Sequence, residues 1–392
     1  MVHVNGEELY NRLVDRGLIR QATSLEIPHQ LFIYCGFDAT AKSFHIGSMI
    51  VMQVLRIAKM YGHKVFCVLG STTTLVGDPT WKNKTRPMLS PDEVKQNSQK
   101  LKEQLIRIVN PDLILDNSDW LDMGLVSFLR NVAPFFSVNQ LISLDTFYNR
   151  LQNQDHLSLL ELLYPCLQAY DFEYLRKNYG CNVQLGGSDQ LANITQGLQY
   201  IDKVNPGTDC DVLGMVAELL LNSNGEKMGK TSDCAIYLDE ELTSVYDFWQ
   251  FFRSIDDSDV KGMFLRLTQM PLVDIEHLLG NYNSAKKILA DMITTMVHGA
   301  EKAQQARAKS EAIFERSDYT QLDLIKLRGG LALDHVLYQI KAYNSIGEAK
   351  RIIQGGGVQV NGVKNIDQNY ILASGVYVIS CGKYRFYKVQ ID

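Results

Sequence analysis

Leu31-Phe32-Ile33-Tyr34-Cys35-Gly36 is a short apolar run closed by a glycine, and it reads as a buried strand. A polar loop, Phe37 to Phe44, separates it from His45-Ile46-Gly47-Ser48. The next run, Met49-Ile50-Val51-Met52-Gln53-Val54-Leu55-Arg56-Ile57-Ala58-Lys59-Met60, holds no proline or glycine and stops before Gly62, which predicts a mostly buried helix. Lys64-Val65-Phe66-Cys67-Val68-Leu69-Gly70 predicts a second strand. Strand, helix and strand on short joints form a βαβ unit, which builds a parallel sheet. The expected class is α/β with a doubly wound sheet, where ligands sit at the carboxyl ends of the strands. Cys35-Gly36, Gly70 and Gly186-Gly187 are such ends.

Composition bounds the rest. The chain has 392 residues, 46% hydrophobic and 21% charged, which suits a soluble globular protein of two or three domains. A net charge of −5 excludes a globally basic nucleic-acid binder, so any RNA contact must use local basic patches. The seven cysteines, Cys35, Cys67, Cys166, Cys181, Cys210, Cys234 and Cys381, form no C-x-x-C pair. An odd, scattered set fits reduced thiols in a cytoplasm and argues against a structural zinc, so no protein-bound metal is expected. No signal peptide is visible, and no run approaches the ~18 apolar residues of a membrane span.

Chemistry concentrates at the first joint. A helix N-terminus offers free N–H groups and partial positive charge to an anion. Gly47 lets a ligand approach the backbone, and Thr40 and His45 can donate to the same anion. The plainer alternative is a surface histidine before a helix that only packs. Gly225-Glu226-Lys227-Met228-Gly229-Lys230-Thr231 offers two lysines three apart on a glycine-containing loop. It is either a solvated basic turn or a means of neutralising charge that builds up on a polyphosphate.

Further along, Gly77-Asp78-Pro79 is turn chemistry, with Lys82, Lys84 and Arg86 on the loop beyond. Ser90-Pro91-Asp92-Glu93 starts a helix expected to reach Ile108, and Leu113-Ile114-Leu115 reads as a strand. Ser158 to Tyr170 is helix-like despite Pro165. Tyr164, Gln168 and Asp171 fall on one face of it, and a polar stripe on an apolar helix needs partners or a ligand. Val183-Gln184-Leu185 is a strand end, Gly186-Gly187 permits close backbone approach, and Ser188-Asp189-Gln190 caps the next helix. Helical patterns run from Glu240 to Phe252 and from Ile275 to Phe314, with a cap read at Tyr282-Asn283-Ser284. Finally, Ser345 to Gln354 predicts a helix exposing Lys350 and Arg351. Gly355-Gly356-Gly357 ends it, and Val358-Gln359-Val360-Asn361-Gly362 enters an Asn-Gly hairpin. Lys383-Tyr384-Arg385-Phe386-Tyr387-Lys388 alternates basic and aromatic residues.

His45-Ile46-Gly47-Ser48 resembles the HIGH signature of class I aminoacyl-tRNA synthetases, and Lys227 to Thr231 resembles their KMSKS loop. The stretches Tyr164 to Asp171 and Gln184 to Gln190 resemble the amino-acid pocket of the bacterial tyrosyl branch, and the C-terminal region resembles an S4-type RNA-binding module. The resemblance runs from about Leu31 to the C-terminus. It implies a Rossmann-like catalytic domain over 1–232, an α-helical anticodon-recognition domain over 233–325 and an S4-like domain over 326–392. It implies activation of L-tyrosine by ATP with Mg²⁺ and transfer to tRNA(Tyr), by a homodimer whose interface lies near Asn131 to Leu144. Thr40, His45, Lys82, Arg86, Lys227, Lys230 and Thr231 would hold the polyphosphate. Cys35, Gly36, Asp38, Gly47, Ser48, Gly187 and Asp189 would lie near the nucleotide. Tyr34 and Asp171 would take the phenol hydroxyl, with Asp78, Tyr164, Gln168 and Gln190 around the amino-acid backbone. Lys350, Arg351, Lys383 and Arg385 would face RNA. Ser48 departs from the second histidine of the signature and is shorter. Rival readings are a tryptophanyl-type synthetase, which Tyr34 with Asp171 suits less well, and a non-catalytic RNA-binding relative.

Overall fold

Phe32–Asp38 and Lys64–Gly70 run parallel, with Cys35 level with Cys67, and helix Met49–Met60 joins them. The computed structural model describes residues 4–79, 89–208, 210–225, 228, 230–231, 234–320, 322–382 and 385–392; of Lys230, Thr231 and Cys234 only the backbone is described. The chain divides into two compact units, Met1–Lys230 with Ala235–Leu242 and Ser258–Gly280, and Thr231–Cys234 with Thr243–Asp257 and Asn281–Asp392.

The first unit holds a six-stranded sheet: β1 Ile19–Ala22, β2 Phe32–Asp38, β3 Lys64–Gly70, β4 Leu113–Asp116, β5 Val183–Gly187 and β6 Leu213–Ala217. Its order is β1-β6-β5-β2-β3-β4, parallel except for β1. The chain leaves β2 toward β3 and β4, then returns on the other side through β5 and β6. The strand order therefore reverses between β2 and β5, and that crevice is where a doubly wound sheet binds its ligand. Helix Met49–Met60 buries Met49, Ile50, Met52, Val54, Leu55, Ile57 and Ala58. Helix Pro91–Ile108 begins with a capping box between Ser90 and Glu93. Strand β1 was not expected, because Ile-Arg-Gln-Ala carries no apolar run and gains its order by pairing with β6. Arg16, just before it, donates to the carbonyls of Phe264, Leu265, Thr268 and Met270, at 2.6–3.4 Å. A segment late in the sequence thus completes this unit.

In the second unit, Val245–Arg253, Tyr282–His298 and Ala300–Arg316 pack as helices around the fully buried Trp249. Asp291 accepts from Trp249 Nε1 at 2.8 Å and from Arg307 Nη1 at 2.6 Å. The cap of Tyr282–His298 is Asn281, one residue ahead of the expected stretch, and its side chain accepts from Ser284 N. A five-stranded sheet follows, ordered Val363–Asn365, Val358–Val360, Gly375–Cys381, Arg385–Ile391 and Leu324–Leu327. Asn361 and Gly362 both have positive φ (49° and 78°), the geometry of a two-residue hairpin turn. Leu333, Val336, Leu337, Ile353 and Val389 form its core. No described helix is long and apolar enough to cross a membrane.

Candidate functional site

A cleft of about 250 Å³ opens at the β2–β5 switch point. Tyr34, Cys35, Gly36, Asp38, Thr40, Ser48, Asp78, Tyr164, Gln168, Asp171, Gly187 and Gln190 all line it, so one site gathers residues from across the first half of the chain. Gln184, from the second pocket-like stretch, lines it too, as do Thr73 and Asn117, which were not anticipated.

The floor is polar and buried. Tyr34 is 2% exposed, its ring 5.3 Å from that of Phe172. The parallel register sets Tyr34 beside Gln184. Tyr34 Oη and Gln184 Oε1 are both buried without a hydrogen-bond partner among the described residues. An unmade bond on a buried polar atom costs about 1–3 kcal/mol, so this end of the cleft is built for a hydroxyl or amide that supplies it. Asp171, also buried, accepts from Trp120 Nε1 at 2.7 Å and from Asn117 Nδ2 at 3.2 Å. Asn117 is fixed in turn: its Oδ1 accepts from Thr72 N at 2.9 Å and its Nδ2 also donates to Thr73 Oγ1 at 3.0 Å. Burial drives the Asp171 carboxyl up to about 7, against the pull of those two donors and with the help of Asp38 and Asp116.

Midway along, Asp38 accepts from Thr73 Oγ1 at 2.8 Å and from Tyr164 Oη at 3.0 Å. Gly70 makes this possible, since a Cβ there would lie 2.3 Å from Asp38 Oδ1. On the opposite wall Gln190 Nε2 donates to Asp78 Oδ2 at 2.9 Å, and Asn193 Nδ2 reaches both Gln190 Oε1 at 3.3 Å and Gln168 Oε1 at 3.1 Å. Two carboxylates and two amide oxygens facing one space suit an ammonium group. Burial raises the Cys35 thiol to about 12, so it stays protonated.

At the mouth, His45 caps the turn Ile46–Ser48, its Nδ1 accepting from Gly47 N at 3.0 Å. That bond leaves the proton on Nε2, as a donor. A Cβ on Gly47 would lie 2.8 Å from the imidazole, so only glycine leaves the ring in place. Backbone bonds from Ile46 N to Ile236 O, and a bridge between His45 and Tyr237, hold this turn against the segment after the lysine loop. Asp189 lines a neighbouring cavity of about 590 Å³, with Arg20, Asp145, Asn149, Arg150 and Ser188. Lys82, Arg86, Lys227 and Lys383 lie outside the described residues, as do the side chains of Lys230 and Thr231.

In the second unit, Lys350 Nζ lies 3.6 Å from the buried Asp334, and Arg351 is exposed. Arg385 sits over the Tyr343 ring at 4.9 Å and donates to Ala342 O at 2.7 Å. Its neighbour Phe386 packs against Phe314 and Tyr319, with centroids 5.3 and 5.8 Å apart. That aromatic therefore joins the sheet to the helices.

The family model for class I tRNA synthetases (W and Y) matches residues 28–315, and an S4 domain model matches residues 333–376. A tyrosine–tRNA ligase of Anaplasma phagocytophilum (strain HZ) is 41% identical over 379 residues, covering 92% of this chain and 91% of the relative. Another, from Wolbachia sp. subsp. Brugia malayi (strain TRS), is 38% identical over 415 residues, covering 98% and 99%. Among solved structures, a C-terminally truncated mitochondrial tyrosyl-tRNA synthetase of Aspergillus nidulans superposes with a TM-score of 0.70 at 28% identity, over 78% of this chain and 94% of the other.

Proposed function

This chain belongs to the class I tRNA synthetases of the tryptophan and tyrosine branch and works as a tyrosine–tRNA ligase, and from that premise we propose how its residues divide the two reactions. In the first, a tyrosine carboxylate oxygen attacks the α-phosphorus of ATP in line, forming the acyl–phosphate bond as the bond to pyrophosphate breaks. No side chain need move a proton, so catalysis rests on placement and on charge stabilisation. In the second, a ribose hydroxyl at the 3′ end of tRNA(Tyr) attacks the acyl carbon, the bond from that carbon to the phosphate oxygen breaks, and AMP leaves with the hydroxyl proton passing to its phosphate.

The observation that carries this assignment is the floor of the cleft. Tyr34 Oη lacks a partner among the described residues, and Asp171 is buried with acceptor capacity left after Asn117 and Trp120. A phenol hydroxyl accepts from the first and donates to the second; an indole N–H can only donate. Asp78, Gln168 and Gln190, with Tyr164 beside Asp38, take the α-amino group. Cys35, Gly36, Asp38, Gly47, Ser48, Gly187 and Asp189 form the nucleotide side. Thr40, His45, Lys82, Arg86, Lys227, Lys230 and Thr231 neutralise the polyphosphate. Mg²⁺ belongs to this reading as a companion of ATP and would further screen its phosphate charge.

The helical part over 233–325 is read as the anticodon-recognition domain. The part over 326–392 is read as an RNA grip using Lys350, Arg351, Lys383 and Arg385. We place the protein in the cytoplasm, which suits cysteines that are all unpaired among the described residues. We read it as a homodimer. Leu125, Val126, Leu129, Val138, Leu159 and Leu160 are exposed and close in sequence, a concentration of apolar surface suited to a second copy of the chain. The test is ATP–pyrophosphate exchange with each amino acid in turn. Tyrosine alone should support rapid exchange, and equal exchange with tryptophan or none with any would overturn the assignment.

A further inference from the structure

Helix Leu159–Tyr179 carries Tyr164, Gln168 and Asp171 into the cleft, and it contains Pro165. Proline has no N–H, so the carbonyl of Glu161, four residues back, loses its intrahelical partner. The segment ahead of the proline, Leu159 to Tyr164, is thus held to the rest of the helix by one bond fewer than usual. Something else must fix its angle, and with it the Tyr164 hydroxyl 3.0 Å from Asp38.

Glu161, one turn before Tyr164, is 4% exposed. Its carboxylate accepts from Ser158 N at 3.1 Å and Ser158 Oγ at 2.9 Å, while Glu161 N donates to Ser158 Oγ. It also meets a buried guanidinium. Arg150, on helix Asp145–Gln152 and 3% exposed, donates from Nη1 to Glu161 Oε1 at 2.8 Å and from Nη2 to Glu161 Oε2 at 3.4 Å. Arg150 Nη2 also donates to the His156 carbonyl, so one side chain ties together both ends of the connection between the two helices. Arg150 Nε has no partner among the described residues. A buried ion pair is a poor source of net stability, because desolvating both charges offsets most of their attraction. This one has a geometric use. Its fork grips the turn that the proline has loosened.

We propose that Arg150 is a positioning residue for the amino-acid site, acting through Glu161 to set the turn that aims the Tyr164 hydroxyl at Asp38. The inference rests on the cleft being the tyrosine site. Arg150→Gln and Glu161→Gln should each raise the KM for tyrosine in ATP–pyrophosphate exchange by about tenfold, the size of one misplaced hydrogen bond. The KM for ATP and kcat should stay within about threefold, because no phosphate contact is altered. Arg150→Lys, which keeps the charge but loses the fork, should fall in between. The decisive measurement is a double-mutant cycle with Tyr164→Phe. If Arg150 works through Tyr164, most of the Arg150→Gln effect disappears once that hydroxyl is gone. Full additivity, equal losses for tyrosine and ATP, or an unchanged KM in folded Arg150→Gln would each overturn the proposal. Should circular dichroism show Arg150→Gln unfolded, the same cycle is read with Arg150→Lys. Failure of the wild-type protein to exchange with tyrosine would instead refute the function proposed for the cleft.

Discussion

Replacing Asp171 by Asn tests the floor of the cleft through stability and activity together. Asn has nearly the shape of a protonated Asp but cannot ionise. The Asp171 carboxyl is shifted from 3.8 to about 7 by burial. An acid with a raised folded pKa contributes its stability below the unfolded value and loses it as pH rises through the folded value. The window therefore runs from about pH 4 to about pH 7. At ~1.4 kcal/mol per pH step across that window, the wild type loses ~4 kcal/mol in all, of which ~2–3 falls between about pH 5 and pH 8. Asp171→Asn has no carboxyl to titrate and is spared this loss. Urea unfolding at pH 5, 6, 7 and 8 should show the variant gaining on the wild type by ~2–3 kcal/mol across that range. Activity should move the other way, since the ionised carboxylate is the form that accepts from a phenol. Wild-type kcat/KM for tyrosine should climb through about pH 7, while the variant stays flat and falls about 10–100-fold lower, the worth of one hydrogen bond to a charged group. Parallel stability profiles for the two proteins, or a variant that still prefers tyrosine over phenylalanine as strongly as wild type, would refute the reasoning.

His45→Ala and Lys230→Ala should each slow adenylate formation by ~100-fold or more with little change in substrate affinity, as for one lost electrostatic donor; pre-steady-state kinetics showing wild-type rates with a raised KM for ATP would refute this. Tyr34→Phe should cost ~0.5–1.5 kcal/mol in kcat/KM for tyrosine, the range of a neutral hydrogen bond, and less than Asp171→Asn. Chains ending near Leu331 should still make tyrosyl-adenylate yet charge tRNA poorly, with a deficit against the full chain that is greatest at low salt and narrows as salt screens the phosphate contacts; normal charging by that truncation would remove the RNA role assigned to the C-terminal module.

The βαβ unit from Leu31 to Gly70 was legible because apolar runs, glycines and a helix-length stretch without breakers all agree there. Tyr164, Gln168 and Asp171 were legible because helical spacing is a property of one segment. The ring that holds Asp171 was not. Asn117 and Trp120 lie 54 and 51 residues away, and a hydrogen bond across that distance leaves no periodic mark. Gln184 was given no role of its own beyond opening a strand-end stretch that resembles the pocket. Its relevance depends on pairing beside Tyr34, which the register sets and a single strand does not reveal. Arg150 was hidden for a related reason. Ser158 and Glu161 carry a capping-box spacing visible in sequence, but nothing there says what meets the glutamate.

The bonds from Arg16 to the carbonyls around Leu265 bear on how the chain is made. A ribosome adding about 5–20 residues per second needs on the order of 12–50 s to travel the 249 positions separating those partners. Throughout that interval the nascent N-terminal helix has a guanidinium ready and no carbonyls to receive it. The sheet can assemble while the chain is still being threaded out, but the unit cannot close until synthesis has passed the lysine loop and gone well beyond it. A fragment cut at that loop, however natural a boundary it looks in sequence, would leave Arg16 permanently in the state of the half-made chain.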